Sequence, residues 1–136
     1  MHLLNTYLVE DSAMIRENLS ATLEELAPVR MVGWAADEAT ALHWLAQAGH
    51  AVDLVIVDIF LQAGSGLAVL RALADLPTAM RRVVLSNYAT AEIRRKCLAL
   101  GADRVFDKSQ ELEALIAYCK ALAIEIGGHH ADAVAP

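Results

Sequence analysis

The sequence predicts an α/β domain in which five parallel strands form a doubly wound sheet covered by five helices. Three observations lead there. Short apolar runs alternate along the whole chain with longer segments of helical spacing. The runs are apolar on both faces, as in Asp53-Leu-Val-Ile-Val-Asp58, which is what strands covered by helices on either side require. Strict alternation of the two kinds of segment makes parallel strands with right-handed crossovers the expected topology.

Taken in order, the first strand is Leu3–Val9, and the helix after it sets Ile15, Leu19, Leu23 and Leu26 on one face. Val29–Ala35 is the second strand. Its helix carries Leu42, Leu45 and Ala46, with Asp37 as N-cap and Gly49 as stop. Leu54–Val57 is the third strand, followed by Leu67, Leu70 and Ala74 on a helix ended by Pro77. Val83–Leu85 precedes a helix with Ile93, Cys97 and Leu100, closed by Gly101. Val105–Phe106 is the last strand. The helix after it has the clearest pattern, Leu112, Leu115, Ile116, Cys119, Leu122, Ala123 and Ile126, at steps of three and four. One domain therefore occupies residues 1–126. Residues 127–136, beginning Gly127-Gly128-His129-His130, show no pattern and are expected to form a flexible tail.

Composition agrees with one packed domain. Of 136 residues 57% are apolar but only 5% aromatic, so Ala, Leu, Val and Ile must do the packing. A net charge of −6 argues against non-specific binding to nucleic acid, which needs a cationic surface. Cys97 and Cys119 lie on apolar helix faces and read as buried thiols. Nothing resembles an export signal or a membrane span, so a cytoplasmic location is expected.

In a doubly wound sheet, ligands bind beyond the carboxyl ends of the strands. Here the first strand ends in Glu10-Asp11, the third in Asp58 and the fourth in Ser86, while the fifth delivers Lys108. Three crowded acids repel one another and call for a cation. A hard divalent ion with oxygen ligands, Mg²⁺ above all, suits them. A lysine and a hydroxyl opposite suit a phosphoryl group. Each residue alone has a plainer reading as a loop charge or helix cap. Their order and common edge are what point to an aspartyl-phosphate site.

The stretches Tyr7-Leu-Val-Glu-Asp-Ser12, Leu54-Val-Ile-Val-Asp58, Gly64-Ser-Gly66, Val83-Val-Leu-Ser86, Gly101-Ala-Asp103 and Lys108-Ser109 resemble the response-regulator receiver family of two-component signalling. The resemblance runs to about Ile126. It implies a flavodoxin-like strand order 2-1-3-4-5 and a regulatory phosphoacceptor rather than an enzyme with a substrate of its own. It also implies Asp58 as acceptor, Asp11 as a direct Mg²⁺ ligand, Glu10 acting on the ion largely through water, and the Phe60 carbonyl completing the metal site. Ser86 and Lys108 would bind phosphoryl oxygens. The implied donor is a phosphohistidine on a sensor kinase or a phosphotransfer protein. The implied output is a protein target or dimer partner on the face of the fourth helix, fifth strand and fifth helix, with no direct contact to nucleic acid or membrane.

The chain departs from the family pattern in places. Gln62 and Ser109 stand where prolines are common, and Val105 stands where the family has a switch Tyr or Phe. Either Phe106 is a core residue and that switch is absent, or a bulge re-aims it; the scarcity of bulges between parallel strands favours the first. Phe60 and Tyr88 would flank the path of the hydrolytic water and shield the phosphoryl group, unless both rings simply face outward. Arg94-Arg95-Lys96, with Arg81, Arg82 and Arg104, is either a solvated face or a partner surface. A receiver that works without phosphate is the alternative function. A dehalogenase-type phosphotransferase is disfavoured, because Asp58-Ile59-Phe60 lacks a second acid. Both a stand-alone regulator and a receiver from a longer transcription factor fit the sequence.

Overall fold

The computed structural model describes residues 2–134 except 48, 50, 77 and 78, with the side chains of 129–134 also left aside. The elements run β1 (Leu4–Val9), α1 (Ala13–Leu26), β2 (Val29–Ala35), α2 (Glu38–Leu45), β3 (Leu54–Val57), α3 (Gly66–Leu73), β4 (Arg81–Ser86), α4 (Ala91–Ala99), β5 (Arg104–Asp107) and α5 (Leu112–Val134). All five strands pair in parallel in the order β2-β1-β3-β4-β5. This is the predicted order, and the strand positions agree within two residues at each end.

Strand alternation sorts the core into layers. Leu4 and Leu8 of β1, Leu54 and Ile56 of β3, Val83 and Leu85 of β4 and Phe106 of β5 pack with Leu19 and Leu23 of α1 and Leu115, Cys119 and Leu122 of α5. The intervening residues Tyr7, Val9, Val55 and Val57 face the other way, onto Ala41 and Leu45 of α2 and Val69 and Leu73 of α3. A third cluster joins Ile59, Leu70, Val84, Cys97, Ala102 and Val105 beneath α4. The two cysteines therefore lie in different clusters, on opposite faces of the sheet. Burial pushes the Cys119 thiol up to about 12 and raises that of Cys97.

Local chemistry starts the first four helices, and the predicted cap Asp37 is among them. Ser12, Asp37, Ser65 and Thr90 cap α1, α2, α3 and α4 by accepting from amides two or three residues on. Gly49, the predicted stop of α2, lies beyond the Ala46 C-cap with φ of 98°. Pro77, the predicted stop of α3, lies outside the described residues; the helix itself ends at Leu73, with Ala74 as C-cap.

Three expectations need correction. Ala46 and Ala74, placed on the apolar faces of α2 and α3, are exposed C-caps of those helices. Leu26, placed on the inner face of α1, is 50% exposed at the end of that helix. The last helix does not end at Ile126 but continues through Gly127 and Gly128 to Val134. Each glycine costs only about 1 kcal/mol relative to alanine in a helix, and a helix already docked along its length can carry that. The imidazoles of His129 and His130 lie outside the described residues. Among the described residues no helix is long and apolar enough to cross a membrane.

Candidate functional site

Two backbone bonds carry the sheet pattern one residue past the strand ends and fix the acids there. The Glu10 amide donates to the Ala35 carbonyl and the Asp58 amide to the Val9 carbonyl, both at 2.9 Å. The three acids converge: one carboxylate oxygen each from Glu10, Asp11 and Asp58 lie within 4.8 Å of one another. Glu10 and Asp58 are buried, whereas Asp11 is half-buried. Hard oxygen donors so arranged fit a small divalent cation.

Lys108 reaches the cluster from the end of β5. Its ammonium donates to Glu10 Oε1 and, at 3.0 Å, to Asp58 Oδ2. Burial works against that charge, but the hydrogen bonds and charges of Glu10 and Asp58 outweigh it and raise the ammonium above its ordinary value. Glu10 is also raised, by its own burial first, against the lowering influence of Lys108 and of the Ser12 amide on its other oxygen.

The second Asp58 oxygen accepts from the Phe60 amide at 3.1 Å. Asp11 Oδ2 accepts from the Gln62 amide at 2.9 Å, so both acids hold the loop between β3 and α3. Close packing fixes that loop from below. A Cβ on Gly66 would come within 2.2 Å of the Asp58 carbonyl oxygen and 2.6 Å of the Ile59 Cα, so only glycine lets α3 start this near the acceptor. Glu38 of α2 completes the support by accepting from the Ser65 amide at 3.0 Å.

Ser86 is fully buried at the end of β4. Its hydroxyl accepts from the Tyr88 amide at 3.1 Å, and its carbonyl accepts from the Lys108 amide at 3.0 Å. All six predicted residues thus stand at one edge of the sheet, although the Ser86 hydroxyl is engaged with its own loop. Phe60 and Tyr88 are 48% and 65% exposed, yet their rings meet edge to face with centroids 5.4 Å apart. They do not simply point outward independently of each other.

Phe106 is 1% exposed within the layer under α5, and Val105 faces the α4 cluster. The β4–β5 register is continuous from Val83↔Arg104 to Ser86↔Asp107, so no bulge re-aims the ring. The switch aromatic is absent.

The predicted basic patch is not one face. Arg81 pairs with Glu125, Arg82 donates to the Leu73 carbonyl, Lys96 pairs with Glu92, and Arg104 lies over Phe106 and Tyr118. Arg94 is half-buried and bonded to Ala89, Val105 and Glu111. Sequence reading also passed over Arg16, which donates to the Glu10 carbonyl at 2.8 Å while its guanidinium lies 3.8 Å from the Trp34 ring centre. Only the fold brings Trp34 there, so no local signal marked it.

Comparison with known proteins agrees with this geometry. Residues 6–120 match the family model for the response regulator receiver domain. The chain belongs to the response regulator receiver family. It is 29% identical over 111 residues to the transcriptional regulatory protein MalR of Bacillus subtilis, covering 82% of this chain and 46% of that protein. It is 30% identical over 122 residues to a protein-glutamate methylesterase/protein-glutamine glutaminase of Myxococcus xanthus, covering 80% of this chain and 34% of that one. The receiver chain thus spans a third to a half of these curated relatives. Among solved structures, a Burkholderia pseudomallei response regulator with a phosphorylated aspartic acid, calcium ion and citrate superposes with a TM-score of 0.72. It shares 27% identity, over 97% of this chain and 75% of that one. The chain is a receiver domain of two-component signalling.

Proposed function

We propose that this receiver is a phosphorylation-controlled switch in which Asp58 accepts a phosphoryl group from a phosphohistidine on a sensor kinase or phosphotransfer protein. The observation that carries it is the setting of Asp58: one oxygen held by the Phe60 amide, the other by Lys108, beside two further acids. Glu10, Asp11, Asp58 and the Phe60 carbonyl would hold Mg²⁺. When bound, the ion would supply neutralisation of charge on the phosphoryl oxygens.

An Asp58 carboxylate oxygen forms the new O–P bond as the N–P bond of the donor breaks, and the departing imidazole keeps its electron pair and takes up a proton. Lys108, already bonded to Asp58, offers its ammonium to the transferred group. Rotation of Ser86 toward that group withdraws its oxygen from the Tyr88 amide, so the loop leading into α4 must readjust. Two conformations then differ in the face they present, and the added charge biases their populations. Downstream contact through α4, β5 and α5 follows from that movement. The chain acts as a regulatory phosphoacceptor rather than an enzyme on an external substrate.

The touching rings of Phe60 and Tyr88 support a further reading, that they hinder water from reaching the phosphoryl group and prolong its lifetime. Substituting both with small polar residues should speed decay of the phosphorylated protein; unchanged decay removes this role.

The principal test follows the intact mass after incubation with Mg²⁺ and acetyl phosphate. One added phosphoryl group, lost in Asp58→Ala and in the absence of Mg²⁺, is the expected result. Bound Mg²⁺ with no phosphorylation would instead favour a binding module that works without phosphate.

A further inference from the structure

Ser86 and Lys108, the two groups placed to bind a phosphoryl oxygen, sit on different loops, one leading into α4 and the other into α5. One side chain ties those loops together. Arg94, in the first turn of α4, donates from Nε to the Ala89 carbonyl at 2.9 Å, from Nη1 to the Val105 carbonyl at 2.9 Å and from Nη2 to Glu111 Oε1 at 2.5 Å. The same Glu111 oxygen accepts from the Asp107 amide at 2.9 Å. Ala89 lies three residues past Ser86, and Asp107 directly precedes Lys108, whose amide is bonded to the Ser86 carbonyl at 3.0 Å. The contacts therefore close a ring from Ser86 through Ala89, Arg94, Glu111 and Asp107 to Lys108 and back.

We infer that Arg94 is the positioning residue that carries movement of the Ser86 loop to the outer surface of α4 and α5. The inference rests on the phosphoacceptor reading above. The physical reason is the planar guanidinium, whose donors point in fixed directions. A shift of the Ala89 carbonyl cannot be followed by one donor without turning the other two, which hold β5 and the start of α5. The Arg94 and Glu111 side chains are about one-third exposed, at 36% and 35%, so water can replace a lost partner and the exchange is cheap. Apolar coupling through a ring is not open to this interface, because Phe106 is locked on the opposite face of the sheet and Val105 is short.

The test compares amide ¹H–¹⁵N spectra of the full chain before and after Mg²⁺ and beryllofluoride, an unreactive mimic of a bound phosphoryl group. In the wild type, signals near the site (58–62, 86–90 and 107–108) should shift together with a remote set on α4 and α5 (95–100 and 112–116). Arg94→Met should retain the near shifts and lose more than half of the remote ones. Glu111→Gln should weaken the remote set in the same direction, and it decides the question if Arg94→Met does not fold. Arg94→Lys restores charge without the fork and should behave like Arg94→Met. Undiminished remote shifts in Arg94→Met, full rescue by lysine, or wild-type changes that stop at the site would each overturn the inference. Absence of near shifts in the wild type overturns the phosphoacceptor reading instead, and the inference with it; no Arg94 variant enters that result.

Discussion

Helices α3 and α4 have eight and nine residues and share one apolar cluster, yet they are held in opposite ways. Helix α3 buries Gly66, Val69, Leu70 and Leu73, and its first residue presses on the Asp58 backbone. Helix α4 fully buries only Cys97, adds the half-buried Ile93, and is held besides by the polar bonds of Arg94. Apolar burial gives the acceptor side one position, because the core tolerates neither voids nor overlap. Polar ties at a half-exposed surface can be exchanged for water, so the α4 side can take a second position at small cost.

The contrast is broken most strongly by deleting core atoms. Leu70→Ala should cost about 3 kcal/mol, as for a fully buried leucine. Ile93→Ala, from the half-buried face of α4, should cost about 1 kcal/mol. Urea midpoints at unchanged slope measure both, and equal losses would erase the distinction. Gly66→Ala comes next, at about 2 kcal/mol from overpacking against the Asp58 carbonyl. It should also slow phosphorylation, since the acceptor loop must move to admit the methyl group.

Acid sharpens the comparison. Hydrogen bonding to Arg94, then to the Asp107 amide, holds the Glu111 carboxyl below its ordinary value of 4.5. A depressed carboxyl contributes stability that is complete above 4.5 and is lost as pH falls through the lower folded-state value. Hydrogen-exchange protection, corrected for intrinsic rates, should therefore fall in α4 and the first turn of α5 below that pH while α3 keeps its own. Glu111→Gln should remove this selective loss. The smallest effect is expected for Arg95→Ala, whose exposed side chain should alter stability by no more than about 0.5 kcal/mol.

The parts held by burial were the parts legible in the sequence. Strands covered on both faces appear as unbroken apolar runs, so β1, β3 and the polar residues at their ends stood out, and Glu10, Asp11, Asp58, Ser86 and Lys108 followed from position. The polar ties were not legible. Arg94, Arg95 and Lys96 read as one charged run, but a helix turns about 100° per residue, which sends Arg94 toward β5 and Arg95 to solvent. Sharing the apolar side with Ile93 and Cys97 was the available signal for Arg94. The segment from Gly127 misled in the other direction, since the loss of an apolar pattern was read as a flexible tail whereas the helix runs on to Val134.

Arg16 and Trp34 carry a practical consequence. The guanidinium that holds the Glu10 carbonyl also covers an indole that is 58% exposed. The other of the two tryptophans, Trp44, is stacked on Tyr7 at 4.4 Å. Emission from Trp34 should therefore depend on where Arg16 sits, and Arg16 is tied to the Glu10 carbonyl of the acidic turn. The molecule thus carries an indole beside the acidic turn, and a change in its emission on adding Mg²⁺, lost in Arg16→Ala, is the expected sign that the site has filled.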